Sequence, residues 1–321
     1  MTRFAFHVAM ALACTAACAA DQSVAVYATR EPVDKSYRKM IRGMDLFEQK
    51  HAMAPDAALR YKLLPRQSDT NMNGIELSIS GDSMTIPVDV EPDHTFVLER
   101  NQKALDEDAS VRPNRKARSM TWRTEVRTPG LAPDTRRLGD LRLECHVGME
   151  ADLVSNVRSV IGQIANFLMR SQGYCDGKDA HYYFFSERPL FGVTLVAGTR
   201  REVLPAGELY AGSFIEPLSK ADLAYCDCQV MLDRTYYLPL GDRSWPDDTM
   251  VEFEYMAEPA TASVPVVVGN STKAEVVAAL GKTTIVSFDS GFEVWLYKRP
   301  DKTELVILFA PSGVVTKSRI R

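Results

Sequence analysis

Between residues 34 and 49 the apolar positions Tyr37, Met40, Ile41, Met44 and Phe47 recur at spacings of three and four. That period predicts an amphipathic helix. From residue 58 to 126 the period falls to two: Leu59, Tyr61 and Leu63 alternate with other residues, as do Ile75, Leu77 and Ile79, then Ile86, Val88 and Val90, with 95–98 following. Asn73-Gly74, Gly81-Asp82 and Pro92-Asp93 punctuate these runs, so short antiparallel strands in a sandwich-like arrangement are expected. Another strand is expected at 141–147. The helical period returns at 151–169, where Leu153, Val157, Val160, Ile161, Ile164 and Leu168 make one stripe. Strands are then predicted at 182–185, 191–196, 203–204, 224–232 and 250–255, and the small polar run 258–263 reads as a linker.

The last part of the chain has the sharpest local signals. Thr272-Lys273-Ala274-Glu275 is a capping box, so a short helix should follow that buries Val276, Val277 and Leu280 and ends at Gly281 in a left-handed conformation. Strands are expected at 284–288, 292–297 and 305–309, with a last piece after Ser312-Gly313. Phe292, Val294 and Leu296 alternate with Glu293, Trp295 and Tyr297, which predicts a sheet with one face under the helix and a second face to use.

Two resemblances follow from these residues. The segment from Val88 through Glu91-Pro92-Asp93 to Thr95-Phe96-Val97 loosely resembles the prealbumin-like sandwich modules of secreted proteins. Gly269-Asn270-Ser271-Thr272, Ala279-Leu280-Gly281, Phe292-Glu293-Val294-Trp295-Leu296-Tyr297, Val306-Ile307-Leu308-Phe309 and Gly313-Val314-Val315 resemble the SmpA/OmlA (BamE-like) domain, with Lys282 where that family usually has Pro. The second resemblance covers residues 264–321. It implies a helix on a three-stranded antiparallel sheet and a non-enzymatic accessory role in outer-membrane protein assembly, with Trp295, Tyr297 and Phe309 as candidate interface residues. The expected fold is therefore α+β, divided into a signal peptide (1–20), a β-rich sandwich-like domain (21–148), an α+β middle domain (149–258) and the BamE-like domain (264–321).

Composition narrows the picture. Of 321 residues, 45% are hydrophobic and 25% charged, which excludes disorder as the main state. The opening MTRFAFHVAMALACTAACAA places Arg3 before an apolar run and a stretch of small residues, the order of a bacterial secretory signal. Cleavage after Ala19 or Ala20 would free the protein into the periplasm; lipidation of Cys18 would anchor it to the outer membrane. No later apolar run is long enough to predict a membrane-spanning helix. Outside the signal, Cys145, Cys175, Cys226 and Cys228 form an even set in an oxidising compartment, the arithmetic of two disulfides. The favoured pairing joins Cys145 and Cys175 each to one of Cys226 and Cys228. A zinc site using His146 and His181 is the weaker alternative, and no metal or cofactor is expected.

The net charge of −4 conceals a local excess: nine Lys and Arg stand against three carboxylates between residues 112 and 142. Arg112, Arg115, Lys116, Arg118, Arg136 and Arg137 form a candidate patch for an anionic envelope surface, against the alternative that they are solvated strand faces. Export argues against nucleic acid as a partner. Ser36-Tyr37-Arg38-Lys39 fits the S-x-x-K pattern of serine acyl-enzymes but reads better as a helix start. The expected function is non-enzymatic binding of other envelope proteins. The rival is a periplasmic hydrolase with a site in 145–250, built from His146, His181 and the acidic loop 242–248, whose Asp242, Asp247 and Asp248 are otherwise an ordinary turn.

Overall fold

A computed structural model describes residues 34–153, 173–178, 180–215, 229–257 and 269–321. The signal sequence with Cys18, the helix expected at 151–169 beyond residue 153, the linker, and Cys226 and Cys228 all lie outside the described residues; of that expected helix, residues 151–153 form a turn and its exit. Along the chain come β1 (Lys35–Ser36), α1 (Tyr37–Lys50), β2 (Ala58–Pro65), β3 (Leu77–Ser80), β4 (Thr85–Val88), β5 (Thr95–Phe96), α2 (Gln102–Asp106), β6 (Ser110–Pro113) and β7 (Met120–Arg127). Then follow β8 (Thr135–Arg137), α3 (Leu138–Glu150), β9 (Phe184–Phe185), β10 (Leu190–Ala197), β11 (Arg200–Val203), β12 (Thr235–Tyr236) and β13 (Met250–Tyr255). The chain closes with α4 (Lys273–Leu280), β14 (Thr284–Ser287), β15 (Glu293–Lys298), β16 (Glu304–Phe309) and β17 (Val315–Ile320). The fold is α+β, and the strands pair antiparallel in several sheets ordered β1-β6-β3-β4, β5-β2-β7, β11-β10-β13-β8, β12-β9 and β14-β15-β16-β17.

Helix α1 begins where the spacing predicts. The Ser36 hydroxyl accepts from the Lys39 backbone N–H, which makes the S-x-x-K serine an N-cap. Tyr37, Met40 and Ile41 of this helix share a core with Tyr61, Leu63, Leu77, Ile79, Phe96, Val111 and Trp122, drawn from both N-terminal sheets.

The strand expected at 141–147 is instead the helix α3. Leu141, Leu143, Cys145 and Val147 alternate at period two only because the polar residues between them are buried as well; every residue from Leu138 to Gly148 is buried. Such a helix has no polar face, so its period is lost. Its buried Arg142 is satisfied internally, donating to the Leu240 and Asp242 carbonyls and to the Asp247 carboxylate. The domain boundary expected at 148–149 falls inside this helix. Residues 229–232, expected in a strand, lead into a short 3-10 turn at Leu232–Arg234.

The C-terminal unit has four strands rather than three. The piece after Gly313 pairs with β16 from Leu305↔Ile320 to Phe309↔Val315. Both faces of this sheet are covered: Trp295, Ile307, Phe309 and Val315 pack with Val276 of α4, while Val294, Leu296, Val306 and Leu308 join the largest core, alongside Leu190, Val193 and Val251. The expected capping box is present; Gly281 has the expected positive φ, +81°, but its ψ of −169° is extended rather than left-handed helical. Of the helix residues expected to be buried, Val276 is, but Val277 and Leu280 remain 38% exposed because a single turn-face of so short a helix meets the sheet.

Candidate functional site

The register of β2 and β7 sorts their side chains onto two faces of one sheet. Pairing runs from Ala58↔Arg127 to Pro65↔Met120, so Tyr61 and Leu63 share a face with Trp122 and Val126, while Arg60 and Lys62 share the other with Arg123 and Glu125. The first face is core. The second faces a cleft of about 570 Å³, lined also by residues 182–188, by Arg136 of β8 and Glu144 of α3, and by Tyr236, Phe253 and Tyr255.

Among the described residues, six cations and five carboxylates line this cleft, and they are mostly locked to one another. Lys62 lies 3.5 Å from Glu125 and also pairs with Glu187. Arg127 meets Glu125 at 3.1 Å, and Arg188 meets Asp134 at 2.5 Å while stacking over the Tyr255 ring. Arg136 donates to Glu144 at 2.5 Å and to the Val126 carbonyl; the Val126 N–H donates in turn to Glu144. Burial raises the Glu144 carboxyl above its ordinary value, against the opposing pull of Arg136. Burial also works to lower the Lys62 ammonium, but Glu125 and Glu187 outweigh it and the net shift is upward.

Arg123 differs from the other five. It is 7% exposed and lies over the Phe185 ring at 4.0 Å. The Tyr182 hydroxyl contacts it, but its Nε and Nη1 have no hydrogen-bond partner, and no carboxylate of the described residues forms an ion pair with it. Burial lowers its pKa, with Tyr182 and Glu144 opposing. The Tyr182 hydroxyl is held against α3 at Gly148, where any Cβ would overlap it. A glycine is required there by this close approach. Burial pushes the Tyr182, Tyr183 and Tyr236 phenols up, so all three stay neutral.

The predicted site residues are distributed differently. Arg112, on the inner strand β6, is exposed, as are Lys116 and Arg118 in the connection from β6 to β7, where Arg115 is half-buried; Arg112 is paired to Asp34, and Arg115 is bound to the Asn71 and Asn73 carbonyls. Arg136 and Arg137 belong to a different sheet, and Arg136 is buried on Glu144, so the six do not form one surface patch. Trp295 and Phe309 are core residues, their rings 4.5 Å apart beneath α4, and half-buried Tyr297 donates to the Gly281 carbonyl; the expected interface is used up inside the fold.

The cysteine pairing is also corrected. Cys145 and Cys175 are bonded to each other, 30 residues apart, which excludes both the expected bridges to Cys226 and Cys228 and a zinc site on these two sulfurs. Once residues 138–150 form a helix, Cys145 points at the turn Tyr174–Asp176. His146 lies 3.5 Å from Asp176, and His181 packs edge-on against Tyr237. Burial lowers the His146 pKa, and nearby Lys50 adds to the shift. Asp247 and the Asp242 carbonyl are bound by Arg142, which gives the acidic loop a structural role. Neither histidine nor that loop lines the cleft.

Arg60, Lys62, Arg123 and Tyr182 were not singled out by the sequence, although a signal existed: charged residues occupy alternate positions of two strands whose other positions are core. No family model, no curated protein and no solved structure matches this chain.

Proposed function

We propose that this protein is an exported, non-enzymatic component of the bacterial envelope that acts by binding, and that it binds in the cleft between the charged face of β2 and β7 and residues 182–188. The observation that carries this reading is the covered charged face itself. Enclosing ion pairs brings little net stability, because desolvation offsets the attraction, so a fold that keeps them beside an open volume of about 570 Å³ holds them for recognition. The signal-like first twenty residues and the Cys145–Cys175 disulfide support export to an oxidising compartment. A sandwich-like N-terminal region is supported by the core that its two sheets share, and a BamE-like C-terminal unit by the capped helix on an antiparallel sheet. In this reading the C-terminal unit is a fastening element and the bound component, an envelope protein or small molecule, meets the cleft.

The test is to recover tagged protein from periplasmic and membrane fractions and identify bound components by native mass spectrometry, for the natural chain and for Glu187→Lys. Glu187 is largely exposed at the cleft, and reversing it sets two cations against each other at Lys62. A component held by the natural chain and lost from Glu187→Lys is expected. Recovery of nothing from either fraction, or equal occupancy of the two chains, would overturn the reading.

A further inference from the structure

We infer that Arg123 is the anion-recognising group of this cleft and takes an oxyanion, carboxylate or phosphate, carried on a small ligand with a flat apolar part. The inference rests on the cleft being a binding site and goes further by naming the group that selects the ligand. Among the described residues six cations line the cleft against five carboxylates, and Arg123 is the one of the six with no ion-pair partner, so a guanidinium buried to this degree lacks its counter-charge within the described residues. The carboxylates nearest Arg123 are already engaged: Glu125 by Lys62 and Arg127, Glu144 by Arg136 and the Val126 N–H. A counter-anion for Arg123 therefore has to come from outside, at the part of the side chain that lines the cleft.

The side chain is also held ready. The Phe185 ring fixes one face of the guanidinium, and Tyr182, pinned against Gly148, holds it from the side. Such preorganisation lowers the entropy lost when an anion binds. Lys62, directly opposite across the β2–β7 register, is a cation already closed by two carboxylates, so selectivity falls to Arg123. The flat apolar part follows from the rest of the lining: Tyr183 stacks on Phe185 at 5.7 Å, and Phe253 and Tyr255 add further ring surface. A cleft of about 570 Å³ suits a small organic molecule.

Benzoate, phenyl phosphate and benzyl alcohol, titrated calorimetrically into the full chain at millimolar concentrations, test this. One or both anions should bind more tightly than the alcohol, and the tighter anion identifies the oxyanion as carboxylate or phosphate. Arg123→Lys keeps the charge and loses the planar donor set, and it should weaken anion binding by roughly tenfold while leaving the alcohol unchanged. In the natural chain the Arg123 Nε–H resonance, assigned by its loss in Arg123→Lys, should shift on saturation with the anion. Anion affinity unaltered in Arg123→Lys, or an unmoved Nε–H resonance, overturns the assignment. If the alcohol binds as tightly as the anions, the cleft remains a binding site and the oxyanion subsite fails; if none of the three binds, the oxyanion assignment fails, while the binding reading itself stands or falls on the Glu187→Lys comparison.

Discussion

Two sheets of this protein are covered on both faces, and they are covered with opposite chemistry. The C-terminal sheet β14–β17 is apolar on each side, with Trp295 and Phe309 beneath α4 and Val294 and Leu308 against the main core. The sheet β5-β2-β7 is apolar on one side only; the other carries Lys62, Arg123 and Glu125 into a cleft. Apolar burial on both faces is fully explained by stability, since each buried Leu or Phe side chain contributes about 1.5–3 kcal/mol. Covered charge is not, and this is what separates a fastening element from a site. Aromatic residues alone pointed to the C-terminal sheet, where Trp295 and Phe309 are buried.

The largest effects should come from the fastening side. Phe309 is fully buried between α4 and the sheet and packs on Trp295, so Phe309→Ala should remove about 3–5 kcal/mol of unfolding free energy by urea titration. Benzoate affinity, read at a temperature where the variant is folded, should stay as in the natural chain. A loss below about 1 kcal/mol would place Phe309 in a loosely packed or accessible position and dissolve the contrast between the two sheets.

On the charged side the prediction concerns a pair rather than a residue. Arg136→Met strands Glu144 in a buried position and should cost about 3 kcal/mol, whereas Arg136→Met combined with Glu144→Leu should recover most of it. The pH dependence has a definite sign. Burial already sets the Glu144 pKa above its ordinary value, and removing Arg136 raises it further, so the folded variant binds that proton more tightly than the unfolded chain does. Its deficit against the natural protein should shrink as pH falls from neutrality. A deficit independent of pH, or a double variant no better than the single one, would mean that removing Arg136 does not leave Glu144 as an uncompensated buried charge.

Much of the fold was legible in the sequence because local rules governed it. Helix α1, the strands around Tyr61, Ile79 and Ile86, and the capping box at Thr272 all follow from period and cap residues that act within a few positions. Helix α3 was not legible, because burial of Arg142, Glu144 and His146 erased the contrast between polar and apolar positions. The cleft failed to appear for a related reason. Alternating charges in β2 and β7 were visible, but the cover supplied by residues 182–188 lies more than fifty positions beyond β7, and no local pattern announces it. The basic excess between 112 and 142 was real, yet Arg123, Arg127 and Arg136 turn into the cleft while Arg112 and Lys116 stay outside. The Cys145–Cys175 bridge became readable only once α3 was known to be a helix.

The smallest effect tests whether α4 belongs to the fastening side at all. Only Val276 of its eight residues is buried, so the helix depends on its N-terminus more than on packing. There the Thr272 hydroxyl accepts from the Glu275 N–H at 3.4 Å, and the Glu275 carboxylate accepts from the Thr272 N–H at 2.7 Å. Thr272→Ala removes the first bond and should cost about 1 kcal/mol, measured by urea titration at neutral pH. The second bond, from the Thr272 backbone first and its hydroxyl next, holds the Glu275 carboxyl below its ordinary value of 4.5. A lowered carboxyl pKa stabilises the folded chain above that ordinary value, and the contribution is lost as pH falls through the folded one. Glu275→Gln should therefore reduce the acid sensitivity of unfolding, while neither variant should alter benzoate affinity. A change in that affinity would join α4 to the cleft through the shared core at Val294 and Leu308, and the two sheets would then have to be treated as one coupled unit.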